Sequence, residues 1–160
     1  MRTILKNVFL FALIAIVGVV YTDAFAQTQT KQQPQKSAVV DKVIHLNKEE
    51  FLKKVFNYEK DNNWKYLGDK PCVLDFYANW CGPCRMISPF LDQLAEEYKD
   101  KIYIYKINTD QERELAAKFG ASSIPLLVFI PMNAQPQANR GALPKEDIKK
   151  AIDTVLFGKK

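Results

Sequence analysis

Strand-like and helix-like spacings of hydrophobic residues alternate along most of this chain. Val43-Ile44-His45-Leu46 reads as a short strand. Asn47, with Glu50 three positions on, marks a helix start, and Phe51, Leu52, Val55 and Phe56 follow at helical spacing. Residues 60–70 are polar apart from Trp64, Tyr66 and Leu67, and Pro71 ends them, so a loop or a short helical turn is expected. Cys72 to Ala78 is an almost unbroken apolar run, the pattern of a central strand covered on both faces. Ile87, Phe90, Leu91, Leu94 and Tyr98 then recur at helical spacing, and Ile102 to Ile107 is rich in strand formers. Asp110 to Phe119 reads as a helix stopped by Gly120. Leu126 to Ile130 is a further strand, and Gln135 to Arg140 a short fifth one closed by Gly141. Pro144 opens a last helix striped by Ile148, Ile152 and Val155 or Leu156.

The order is therefore β-α-β-α-β-α-β-β-α, which predicts an α/β domain with helices on both faces of one sheet. The last two strands are close in sequence and should pair antiparallel.

The N-terminus does not fit this alternation. Arg2 and Lys6 precede an uncharged run from Val8 to Tyr21, and Ala24-Phe25-Ala26 supplies a small-x-small cleavage pattern. Residues 1–26 thus read as an export signal cut after Ala26. The alternative is a retained membrane tether, but a spanning helix takes about 20 apolar residues. Residues 27–40 form a polar tail, and 41–160 the folded domain. Localisation outside the cytoplasm follows, with a bacterial periplasm as the expected compartment.

Composition adds little. The chain has 160 residues, 48% apolar and 26% charged, enough for one domain. Loss of Arg2, Lys6 and Asp23 with the signal takes the net charge from +5 to +4. No Lys/Arg stripe is interleaved with aromatics, so no nucleic-acid partner is expected.

The candidate chemistry lies in three cysteines, Cys72, Cys81 and Cys84. Cys81 and Cys84 are two residues apart, between the buried strand ending near Ala78 and a helix starting near Gly82. At a helix N-terminus, free N–H groups and the helix dipole stabilise a thiolate. Cys81 is therefore expected to be exposed and nucleophilic, and Cys84, one turn in, buried and resolving. Pro83 suits the first helical turn. A zinc site needs about four ligands, and only Cys72 and His45 remain to complete one, so no metal and no cofactor are expected. A purely structural bridge across so short a ring would constrain little chain. Cys72 reads as a small buried hydrophobe. Asp75, inside the apolar strand, should pay a desolvation penalty and hold its proton. Lys106 falls on the same side of its strand as Ile102 and Ile104. Ile124-Pro125 alone marks only a turn.

Trp80-Cys81-Gly82-Pro83-Cys84, with Asp75-Phe76 before it and Arg85-Met86-Ile87-Ser88-Pro89 after it, resembles the thioredoxin family. Lys106-Ile107-Asn108-Thr109-Asp110, Ile124-Pro125 and Gly141-Ala142-Leu143 extend the resemblance over roughly residues 41–157. It implies a thioredoxin fold, a mixed sheet of about five strands flanked by about four helices. It implies a reductase of protein disulfides in which Cys81 attacks, Cys84 resolves and Asp75 is the buried acid, with Lys106 as its charge partner. It implies a cis bond before Pro125, and a substrate rim of Trp80, Gly82, Pro83, Ile124, Pro125 and Gly141. The partners would be disulfide-bearing client proteins and a membrane or reductase electron donor, with the protein a monomer. The Gly-Pro pair resembles the reducing branch. An oxidant or isomerase using the same site, and a binding module with incidental cysteines, are the alternatives. Tyr77 and Leu126 depart from the common Trp and Thr, and are expected to touch the site.

Overall fold

The computed structural model describes residues 43–159; the expected export signal (1–26) and the whole of the expected polar tail (27–40) lie outside them. Five strands form one mixed sheet: β1 (Ile44–His45), β2 (Cys72–Tyr77), β3 (Tyr103–Asn108), β4 (Leu126–Ile130) and β5 (Gln137–Arg140), in the order β1-β3-β2-β4-β5. β1 and β2 run parallel to β3, while β4 is antiparallel to both β2 and β5. The helices are α1 (Lys48–Lys54), α2 (Gly82–Glu97), α3 (Arg113–Lys118) and α4 (Lys145–Ala151), the last continuing into a wider turn over Ile152–Leu156. The fold is the expected α/β architecture, a mixed five-stranded sheet flanked by four helices. Among the described residues no helix is long and apolar enough to cross a membrane.

The alternation along β2 explains the layering. Cys72, Leu74 and Phe76 point to one face, where they pack with Phe51 and Val55 from α1 and its end and with Leu115 from α3. Val73 points to the other, with Ile87, Leu91 and Leu94 of α2 and Ile148 of α4. A strand covered on both faces has no polar alternation to show, which is why its sequence is an apolar run. Cys72 is fully buried in the first layer, and burial pushes its thiol up to about 12, only partly opposed by the Tyr66 hydroxyl.

Most boundaries hold within two residues, and one does not. The helix expected from Asp110 begins at Arg113. Asn108 is the cause: its side-chain oxygen accepts from the Asp110 N–H, and its carbonyl accepts from the N–H groups of Gln111 and Glu112. Such an Asx turn competes with helix for the same backbone donors. At α1 the expected cap is present in full. The Asn47 side chain accepts from the Glu50 N–H, and the Glu50 side chain accepts from the Asn47 N–H. Residues 57–70 form neither helix nor strand, with one turn at 58–60. Trp64 anchors them against Phe56, with ring centroids 4.8 Å apart. Gly68 sits so close to the Tyr66 ring that a Cβ there would fall 2.3 Å from its hydroxyl oxygen.

Leu91, fully buried between α2 and the sheet, gives a direct test of this packing. Leu91→Ala is expected to lower unfolding free energy by about 2–4 kcal/mol, measured by urea denaturation of the oxidised protein. A loss below about 1 kcal/mol would mean that α2 is not seated as described.

Candidate active site

β2 ends at Tyr77, the chain turns through Asn79 and Trp80, and α2 begins at Gly82. Cys81 is the N-cap of that helix. It forms a disulfide with Cys84 (S–S 2.06 Å, Cα–Cα 5.3 Å), and its Sγ accepts from the Cys84 N–H at 3.1 Å. The helix start therefore offers a backbone donor to this sulfur, as the strand-to-helix reading required.

Cys84 is buried as expected, at 2% exposure, but Cys81 is not the exposed residue anticipated: it is 3% exposed. In the disulfide its sulfur turns inward and packs with Ala78 and Cys84 against Tyr77 and Ile124. Trp80 is what solvent meets, at 69% exposure. Its indole Nε1–H donates to Asp110 Oδ2 at 3.0 Å, so the ring is tethered rather than loose. Arg85 reaches back to donate to the Asn79 carbonyl at 3.0 Å and braces the same turn.

The Ile124–Pro125 peptide bond is cis, as the resemblance implied. It brings the Ile124 carbonyl oxygen to 3.9 Å from Cys81 Sγ. The Pro125 carbonyl accepts from the Gly141 N–H at 2.8 Å, which joins the two outer loops of the rim. Gly141 has φ +90°, a conformation that side-chain-bearing residues avoid. Gly82 has no such need, since a Cβ there would meet only the end of Arg85 at 3.9 Å. Pro83 is exposed on the first turn of α2. Leu126 is fully buried in the layer of Phe51 and Leu115, against which Ile124 also packs, because the residue after Pro125 enters β4 pointing to that face. Tyr77 does touch the site, packed against the cysteine pair.

Behind the disulfide lies the polar pair. Asp75 is fully buried, and the sheet register places it directly opposite Lys106 on β3 and Leu127 on β4. Lys106 Nζ lies 3.3 Å from Asp75 Oδ2 and donates to Ser88 Oγ of α2 at 2.9 Å. The contact with Asp75 lacks hydrogen-bond alignment, so neither carboxylate oxygen has a hydrogen-bond partner among the described residues. Burial raises the Asp75 pKa to about 6, and the Lys106 charge holds it from going higher. Lys106 also lies over the Tyr77 ring, 4.7 Å from its centroid, and the Tyr77 hydroxyl is 3.4 Å from His45 Nδ1.

The structure thus gathers Cys81, Cys84, Ile124, Pro125 and Gly141 at one end of the sheet, with Asp75 and Lys106 beneath. Asp110, Asn108 and Ser88 were not singled out in the sequence. The contacts of Asp110 with Trp80 and of Ser88 with Lys106 are tertiary, and no spacing rule signals them; those of Asn108 are local, an Asx turn onto Asp110.

Comparison with known proteins agrees with this geometry. The thioredoxin family model matches residues 42–154. A thioredoxin of Borreliella burgdorferi is 42% identical over 115 residues, 72% of this chain and 97% of that protein. A thioredoxin of Haemophilus influenzae is 41% identical over 115 residues, 71% of this chain and 97% of that one. The M-type chloroplastic thioredoxin of Pisum sativum is 39% identical over 99 residues, and the match spans 58% of its length. A match over most of the folded region, joined to a close cysteine pair at a helix start, places the chain in the thioredoxin family, as a thiol–disulfide oxidoreductase of the disulfide-reductase type.

Proposed function

We propose that this protein reduces disulfides of client proteins outside the cytoplasm, through the Cys81–Cys84 dithiol. The carrying observation is the disulfide itself, seated at the N-terminus of α2 with the Ile124 carbonyl 3.9 Å from Cys81 Sγ. In the reduced protein the Cys81 thiolate attacks one sulfur of a client disulfide. A mixed disulfide forms and the other client sulfur leaves as a thiolate. The Cys84 thiol loses its proton and attacks Cys81 Sγ. The client's second thiolate leaves and the Cys81–Cys84 bond forms. Two electrons pass to the client, and a dithiol reductant of matching potential must return them.

Each residue has a place in this cycle. The helix start favours the Cys81 thiolate over the thiol. Asp75 accepts the Cys84 proton, and its raised pKa keeps it near the operating range of a general base. Trp80, Gly82, Pro83, Ile124, Pro125 and Gly141 form the rim on which an extended client segment lies. The Gly-Pro sequence between the cysteines supports the reducing direction. The charged N-terminal flank, apolar run and Ala24-Phe25-Ala26 support export. A membrane-linked or soluble reductase then supplies electrons to a monomeric protein.

Three outcomes are expected. With dithiothreitol as reductant, the wild type accelerates insulin reduction, whereas Cys81→Ser falls to the uncatalysed rate and Cys84→Ser accumulates mixed disulfides. A Cys81→Ser protein as fast as wild type ends this reading. A reduction potential as oxidising as that of disulfide-forming enzymes, about −120 mV, would instead reverse the proposed direction. In cells, the mature N-terminus recovered from the extracytoplasmic fraction should be Gln27; an intact Met1 there supports the tether.

The buried acid makes the third. Its folded pKa of about 6 exceeds the ordinary 3.8, so the folded state holds this proton more tightly. Stability on this account is lost as pH rises from about 4 to about 6, and the loss is complete above that window. Asp75→Asn should therefore gain stability on wild type between pH 4 and pH 8, by about 2–3 kcal/mol in urea unfolding of the oxidised protein. The same variant should slow resolution of the mixed disulfide by about 10–100-fold at pH 7. A pH-independent stability difference would show that Asp75 is not desolvated as described.

A further inference from the structure

The Lys106 ammonium has two suitors of different kinds. It lies 3.3 Å from Asp75 Oδ2 but gives its aligned hydrogen bond to Ser88 Oγ at 2.9 Å. A carboxylate is the stronger acceptor, and charge-assisted bonds of this type are ordinarily the shorter ones. Here the neutral hydroxyl has the short, directed contact, and the fully buried carboxylate has none. The arrangement has a local cause. Ser88 lies one helical turn beyond Cys84 on the buried face of α2 (positions i and i+4), so its hydroxyl reaches the ammonium from the helix side. Asp75 and Lys106 face each other across β2 and β3, where the ladder fixes their separation.

We propose that Ser88 is a positioning residue for the redox site: its hydroxyl anchors the Lys106 ammonium where none of its three N–H groups is aligned on Asp75, so the buried acid keeps a charge contact without a directed bond. The inference rests on the role for Asp75 given above and deepens it. A carboxylate bonded directly by an ammonium holds on to its charge and gives up its affinity for a proton. A carboxylate left without that bond remains able to take a proton from a neighbouring thiol. Ser88 acts on the reaction only through Lys106.

The other groups around Asp75 do not supply the same effect. On α2, Cys84 is locked in the disulfide in this state. From its own strand, the Tyr77 ring lies under Lys106. From β1, His45 reaches only the Tyr77 hydroxyl, at 3.4 Å. β4 presents Leu127, which carries no charge.

The test is a carbon-13 NMR titration of the Asp75 carboxyl in the oxidised full chain, where neither Cys81 nor Cys84 titrates. In Ser88→Ala the midpoint should fall by roughly 0.5–1 pH unit as Lys106 turns its N–H onto the acid. Ser88→Thr, which keeps the hydroxyl, should titrate as wild type. In a Lys106→Met background the Ser88→Ala change should leave the midpoint where Lys106→Met alone puts it. An unchanged or raised midpoint in Ser88→Ala, or an equal fall without Lys106, overturns the proposal. The readout needs no turnover, so it fails or succeeds separately from the catalytic role of Asp75, which the resolution rate of Asp75→Asn reports.

Discussion

β2 is hydrogen-bonded on both edges and packed on both faces, and everything functional hangs from it. Its parallel register with β3 sets Asp75 opposite Lys106, and its antiparallel register with β4 sets Phe76 opposite Leu126, the first residue after Pro125. The same strand runs into the turn that ends at Cys81. The disulfide, the cis peptide and the buried acid are thus positioned by one ladder. A one-residue slip would exchange its faces, carrying Asp75 into the layer of Phe51 and Leu115 and Leu74 into that of α2. The apolar side chains on both faces oppose such a slip, because every one of them would change layers at once.

That constraint also sets the electrostatics. A carboxylate in the middle strand of a covered sheet has no route to water, whereas Lys106, at 8% exposure, keeps a narrow one. The two are therefore unequal partners. Burial acts on the acid with full force, and the lysine offsets only part of it, so the acid's pKa stays raised. A structural ion pair would gain from better alignment. This one is left misaligned by the hydroxyl of Ser88, and the result is a buried acid with a raised pKa on the strand that leads into the cysteine turn.

Much of this was legible in the sequence, for identifiable reasons. The apolar run from Cys72 and the helical stripe from Ile87 to Tyr98 are strong because their faces are wholly buried. The placement of Cys81 at a helix start followed from the strand ending before it and Pro83 inside the first turn. Alternation put Lys106 on the side of Ile102 and Ile104, but only the family resemblance tied it to Asp75. Less visible were features decided by a local Asx turn or by tertiary geometry. Asp110 looked like the opening of a helix, yet Asn108 claims its N–H and Trp80 claims its carboxylate. Cys81 looked exposed because a helix start usually is, and the inward turn of the disulfide against Ile124 reversed that.

Tyr77 stands where many thioredoxins have Trp, and its position gives that difference a physical meaning. It packs against the cysteine pair, its ring lies under the Lys106 ammonium at 4.7 Å, and its hydroxyl faces His45 at the edge of the sheet. A cation over an aromatic face is attracted by about 0.5–2 kcal/mol, with indole the strongest of the three rings. The phenol holds the ammonium more weakly, so more of its placement falls to the directed bond that Lys106 donates to Ser88. A Trp at this position and a hydroxyl at Ser88 would be partly redundant means of keeping the lysine off the acid. With Tyr77 in place the hydroxyl carries the larger share, and the proton affinity of Asp75 becomes sensitive to a side chain that touches neither sulfur.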